Sequence, residues 1–235
     1  MLLRLGHSLG ALGQAVAARE YFRELVGSAR HALRPGHPTI LRARACHAHW
    51  QGEAGDPRAA ATASEELLQD TTRKFGRNHR FTLTIRRSHA RWLSDAGYPN
   101  RAVKLMGELI PVFTRVFGPE HKETLYARNI LVRCLTDAGR PDRAAELMGE
   151  LVRDFGRVLG PRDPDTLSAR NNLGVSLGKA GDPVAAVVMF RRLLSDLVEI
   201  FGPANPKTLR TRNNLARCRI EAGDPLDDRC GEVDV

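Results

Sequence analysis

Aromatic side chains make up only 6% of this 235-residue chain, and cysteine occurs four times. So few rings, set against abundant Ala, Leu and Arg, argue against a sheet core and favour stacked helices joined by tight turns. Cys46, Cys134, Cys218 and Cys230 are scattered along the chain rather than grouped as a disulfide framework, which points to a reducing compartment and a cytoplasmic location. No segment approaches the roughly 18 consecutive apolar residues of a membrane-spanning helix, so a membrane partner is not expected. A glycine-rich phosphate loop is missing, and no motif assigns a base to any serine or cysteine. Catalytic residues, cofactors and enzymatic activity are therefore not expected.

What the chain has instead is a repeat. Leu33, Phe75, Phe117, Leu159 and Phe201 open equivalent blocks at a spacing of 42, and Ala54-Gly55, Ala96-Gly97, Ala138-Gly139, Ala180-Gly181 and Ala222-Gly223 recur with the same period. In the block from Leu159 to Ile200, Asp163-Pro164 places an N-cap acceptor before a proline at the first helical position. The helix that follows carries Leu167, Leu173 and Leu177 and stops at Gly181. Asp182-Pro183 repeats the start signal, and Ala186, Phe190, Leu193, Leu194 and Leu197 line the apolar stripe of a second helix. Gly160 precedes the pair, where a left-handed C-terminal cap is expected. Each block thus reads as a helical hairpin. Arg34, Arg80 and Lys122 depart from this grammar. Alanine at 18, 60, 102, 144 and 186 marks a close helix crossing.

The repeat register reaches back into Met1–Ala18, whose small and apolar residues mimic a signal peptide, and assigns them to a helical hairpin instead. The chain divides into an incomplete repeat (2–31), full repeats from about 33, 75, 117 and 159, and a half repeat (201–224), making one solenoid over 1–226 followed by a polar tail, 227–235. Neither end carries a clear capping helix, which leaves self-association through the ends open.

Leu173-Gly174, Leu177, Gly181, Ala186 and Phe190 resemble the core spacing of the tetratricopeptide repeat family. The period of 42 and the run from Leu159-Gly160 through Asp163-Pro164 and Thr166-Leu167 to Asn171-Asn172-Leu173 are similar to the longer repeats of kinesin light chains and of bacterial multidomain proteins. The resemblance implies an all-α, right-handed superhelical solenoid of antiparallel hairpins, used as a protein-interaction scaffold. It also implies that first helices line a concave groove. Its positions carry over to Ala45, Arg87, Asn129, Asn171 and Asn213 in one column, with Asn172 and Asn214 beside it, and to His49, Arg91, Arg133, Val175 and Arg217 one turn later. Asparagine can clamp a peptide backbone, and arginine offers forked donors to carboxylates. An acidic or C-terminal peptide is the expected ligand, in keeping with the net charge of +9.

Two other functions compete with this one. One is a sensor or regulatory segment of a larger nucleotide-switch assembly. The other is a basic nucleic-acid-binding repeat, disfavoured because no regular pair of base-reading side chains recurs and stacking aromatics are few. A further column, Arg44, Arg86, Arg128, Arg170 and Arg212, is expected to be structural, its heads reaching loop carbonyls or an acidic neighbour. Cys46, His47 and His49 lack the fourth ligand of a zinc site. Trp50 and Trp92 share one repeat position and are expected to pack, while Glu65-Glu66 and Asp227-Asp228 are read as solvating charge.

Overall fold

The computed structural model describes residues 2–34 and 36–223, so the tail 227–235, Cys230 and Asp227-Asp228 lie outside the described residues. Within them the protein is all-helical: α1 (Leu2–Ala11), α2 (Ala15–Ala32), α3 (Pro38–Glu53), α4 (Pro57–Phe75), α5 (Arg80–Asp95), α6 (Pro99–Phe117), α7 (Lys122–Asp137), α8 (Pro141–Leu159), α9 (Pro164–Lys179), α10 (Pro183–Phe201) and α11 (Pro206–Glu221). The chain forms two compact units, Met1–Pro119 with α1 to α6 and Glu120–Val235 with α7 to α11. Inside each unit every helix packs on the next, so hairpins stack in chain order.

Local chemistry sets the helix ends. Helices α3, α5, α7, α9 and α11 are capped at one repeating position: His37, His79, His121, Asp163 and Asn205 each accept a hydrogen bond from the backbone N–H two residues on. The second helices α4, α6, α8 and α10 start with a proline, and Asp56 and Asp182 cap α4 and α10, whereas Tyr98 and Arg140 supply no side-chain cap. The glycines after α4, α6, α8 and α10 differ from the expected left-handed cap. Gly160 has φ 99° and ψ 154°, an extended conformation of positive φ that only glycine adopts readily, and it turns the chain directly into the next hairpin.

Packing explains the small and large columns. Ala18, Ala60, Ala102, Ala144 and Ala186 are all 0% exposed, at the close crossings. A Cβ on Gly174 would lie 2.6 Å from the Phe190 ring, so only glycine fits there. Trp50 and Trp92 are core residues: each ring lies over a glycine 40 positions earlier, Gly10 and Gly52, at distances no side chain could share.

The structural arginine column is resolved into a two-part clasp. Leu41, Leu83, Leu125 and Leu167 on the first helices and Leu67, Leu109, Leu151 and Leu193 on the second are at most 1% exposed. Burying each such leucine contributes about 1.5–3 kcal/mol. Three residues after each first-helix leucine comes the arginine. Arg44 pairs with Asp70 at 2.6 Å, and Arg128 with Asp154 and Arg170 with Asp196 at 2.5 Å, always three residues after the second-helix leucine. The acidic neighbour is thus on the partner helix. In α6 the aspartate position is Val112, beside Pro111, and Arg86, 8% exposed, makes no such pair.

Candidate peptide-binding face

In the first unit α3 and α5 supply Ala45, His49, Arg87 and Arg91. The Arg87 guanidinium lies 6.0 Å from the centre of the Phe113 ring. Arg91 is more committed: it donates to Glu53 at 2.5 Å, approaches Asp95 at 3.7 Å and covers the Trp92 ring at 4.2 Å. Beside it, His7, Ala45, Cys46, His49, Ser88 and Trp92 contribute to a cleft of about 160 Å³. Cys46 and His49 do share a face, and Cys46 Sγ lies 3.4 Å from His7 Nε2. Burial pushes the Cys46 thiol up to about 11, against the opposing charge of Arg42, so it is protonated and a poor nucleophile or metal ligand. Burial lowers the pKa of His49, with Glu53 opposing and Arg91 and His7 reinforcing. No group of three metal-ligating side chains forms among the described residues.

In the second unit α7, α9 and α11 supply the remaining predicted residues. The asparagines divide into two roles. Asn171 is buried, and its Oδ1 accepts from Asn214 at 3.2 Å and Thr211 at 3.3 Å. Asn172 donates to Asn129 at 3.4 Å. These bonds join first helices of successive hairpins and fix their register, which commits Asn129, Asn171, Asn172 and Asn214 at least in part to the fold. Asn213 is exposed. Val175 breaks the later column and packs against the cluster of Ala186 and Phe190.

Arg133 and Arg217 are exposed, and each faces a carboxylate four residues on: Asp137 at 4.0 Å and Glu221 at 3.9 Å. With Glu53 and Asp95 these make a third column that sequence reasoning passed over. Its signal is plain in retrospect, an acid at i+4 from each member of the His/Arg column except Val175, where Lys179 stands. The face is therefore mixed in charge rather than uniformly basic. Tyr126 donates to Asp165 between α7 and α9, and burial together with that bond pushes its phenol up to about 12.

The tetratricopeptide repeat profile matches residues 124–165 and 166–207, two adjacent blocks of this period. Residues 124–207 are tetratricopeptide repeats. No curated protein matches the sequence. Among solved structures, the chain is similar to the nearly identical TPR-like repeats of a Podosopora anserina protein described as kinesin light chain, at 20% identity and TM-score 0.66, covering 84% of this chain and 93% of that one. It is similar to BtubC (BKLC) from P. vanneervenii at 22% identity and TM-score 0.64, covering 90% and 83%. It also resembles a thermophilic TPR protein of Thermus thermophilus at 17% identity and TM-score 0.63, covering 93% and 97%. At these identities the likeness is one of fold, to TPR repeats of the kinesin-light-chain type. Such repeats generally mediate protein–protein interaction, and no helix among the described residues is long and apolar enough to cross a membrane.

Proposed function

We propose that the chain is a non-enzymatic scaffold that binds an extended peptide with acidic side chains or a free C-terminal carboxylate along its first-helix faces. The observation that carries this reading is the contrast between Arg44, Arg128 and Arg170 of one column and the more exposed Arg133 and Arg217 of the other. Arg44, Arg128 and Arg170 are held at 2.5–2.6 Å and have side chains 18–26% exposed, so they are spent on the fold. Arg133 and Arg217 have side chains 46% and 58% exposed, with the carboxylates four residues on at 4.0 and 3.9 Å. The exposed Arg217–Glu221 pair is worth about 0–1 kcal/mol, little for an incoming carboxylate to displace, and a bidentate contact would replace it. Asn213, exposed on the same helix as Arg217, adds a donor and an acceptor for the ligand backbone. The alternation of acid and base also disfavours a nucleic-acid backbone, which rewards an unbroken basic track.

A peptide-display selection against the full chain tests the proposal. Enriched sequences should carry Asp, Glu or a free C-terminus, and Arg133→Glu with Arg217→Glu should lose them. Enrichment of neutral apolar sequences indifferent to both changes would sink it.

A further inference from the structure

Five first helices carry the same half of the leucine and arginine clasp: Leu41/Arg44, Leu83/Arg86, Leu125/Arg128, Leu167/Arg170 and Leu209/Arg212. Four of these leucines are 0–1% exposed beneath the second helix of their own hairpin, but Leu209 is 43% exposed. Arg212 is exposed too, and no hydrogen bond or ion pair engages it among the described residues. Ile220 lies on the same face, eleven residues after Leu209, and is 67% exposed. The corresponding positions of the earlier helices hold Gly52, Ser94, Thr136 and Gly178, so an apolar side chain occurs there only in α11, which no second helix covers among the described residues.

We infer that this face of α11 is a docking surface for an amphipathic helix of another polypeptide, one that carries the pattern Ala-x6-Leu-x-x-Asp. The pattern is read from the helices that already cover this face elsewhere in the chain: Ala60/Leu67/Asp70, Ala144/Leu151/Asp154 and Ala186/Leu193/Asp196. The incoming leucine packs on Leu209 as Leu193 packs on Leu167. The aspartate receives Arg212 as Asp196 receives Arg170. The small residue admits Ile220, at the position where Gly178 faces Ala186.

The other occupants fit less well. In this register the sequence after Gly223 places Asp228 and Glu232 at the positions of Ala186 and Phe190, both 0% exposed, where an unpaired carboxylate is costly. A second copy would have to release one of its own second helices from a packed hairpin before it could donate the pattern. This surface is separate from the peptide face proposed above, and its test is independent of that reading.

The probe is a fluorescent peptide of the α8 sequence, Pro141–Leu159, held helical by a lactam between solvent-facing positions, titrated into the full chain by anisotropy. Saturable one-to-one binding is expected. Leu209→Asp should abolish it. Arg212→Glu should weaken it by about tenfold or more, and a peptide with Asp154→Arg should recover most of that loss on Arg212→Glu while binding the unaltered protein poorly. Since Leu209 and Arg212 are exposed, both variants should fold, as circular dichroism will show. The inference is overturned by an absence of saturable binding, by binding indifferent to both residues, or by self-association that Leu209→Asp abolishes, which would make a second copy the occupant.

Discussion

Asp154 shows how much one side chain does in this fold. Burial alone would raise its carboxyl pKa, but hydrogen bonds and charge from Arg128 at 2.5 Å and Arg157 at 3.2 Å outweigh that and hold it below the ordinary range. A group whose folded pKa is depressed contributes stability that is fully present above its unfolded pKa and lost as pH falls through the folded one. Asp154→Asn should therefore cost about 1–2 kcal/mol at pH 7, and the gap between variant and wild type should close below about pH 3–4. Urea titrations at the two pH values check this. The arginine half of the clasp is visible in the sequence as the most regular column. Its aspartates, 26 residues on, were not paired with it, because nothing in the linear sequence says which faces of two helices will meet.

At the scale of the element, helix starts decide how firmly each hairpin is held. Asp56 and Asp182 accept from the backbone at 3.0 and 2.9 Å, while Tyr98 and Arg140 at the same repeat position offer no side-chain bond. Tyr98→Asp should raise stability by about 0.5–1 kcal/mol, through a cap and through charge at a helix N-terminus, and Asp182→Ala should lower it by a similar amount; thermal melts would register both. Hairpin boundaries, proline starts and the alanine crossings were legible because their signals are local and repeat at 42. Histidine capping at 37, 79 and 121 was not, since histidine lies outside the usual set of caps and reveals its role only through alignment with Asp163 and Asn205. The asparagine column was legible as a column but not in its use. Asn171 and Asn172 are neighbours in sequence, and only the stacking of α7, α9 and α11 shows that they bond in opposite directions along the stack.

At the scale of the molecule the two units should differ in their response to acid. His47, His49 and His89 all lie in the first unit, and burial lowers the pKa of each. His89 is hydrogen-bonded through Nδ1 to the Ala61 carbonyl at 3.1 Å, so its neutral form donates there. A depressed histidine gives full stability above the ordinary value of about 6.5 and loses it as pH falls from there through the folded value. Hydrogen exchange at pH 7.5 and 5.5, corrected for intrinsic rates, should show α3 to α5 losing protection while α7 to α10 keep theirs. Equal loss in both units would mean that these histidines do not control the response.

The central claim is that Arg133 and Arg217, exposed on their first helices, serve a ligand. Isothermal titration of an acidic display-selected peptide into the wild-type chain and the Arg133→Glu, Arg217→Glu variant tests it most directly. A loss of about tenfold or more in affinity, with helicity and melting temperature unchanged, is the predicted result. Equal affinity for both proteins would contradict the account and move binding away from these first-helix faces.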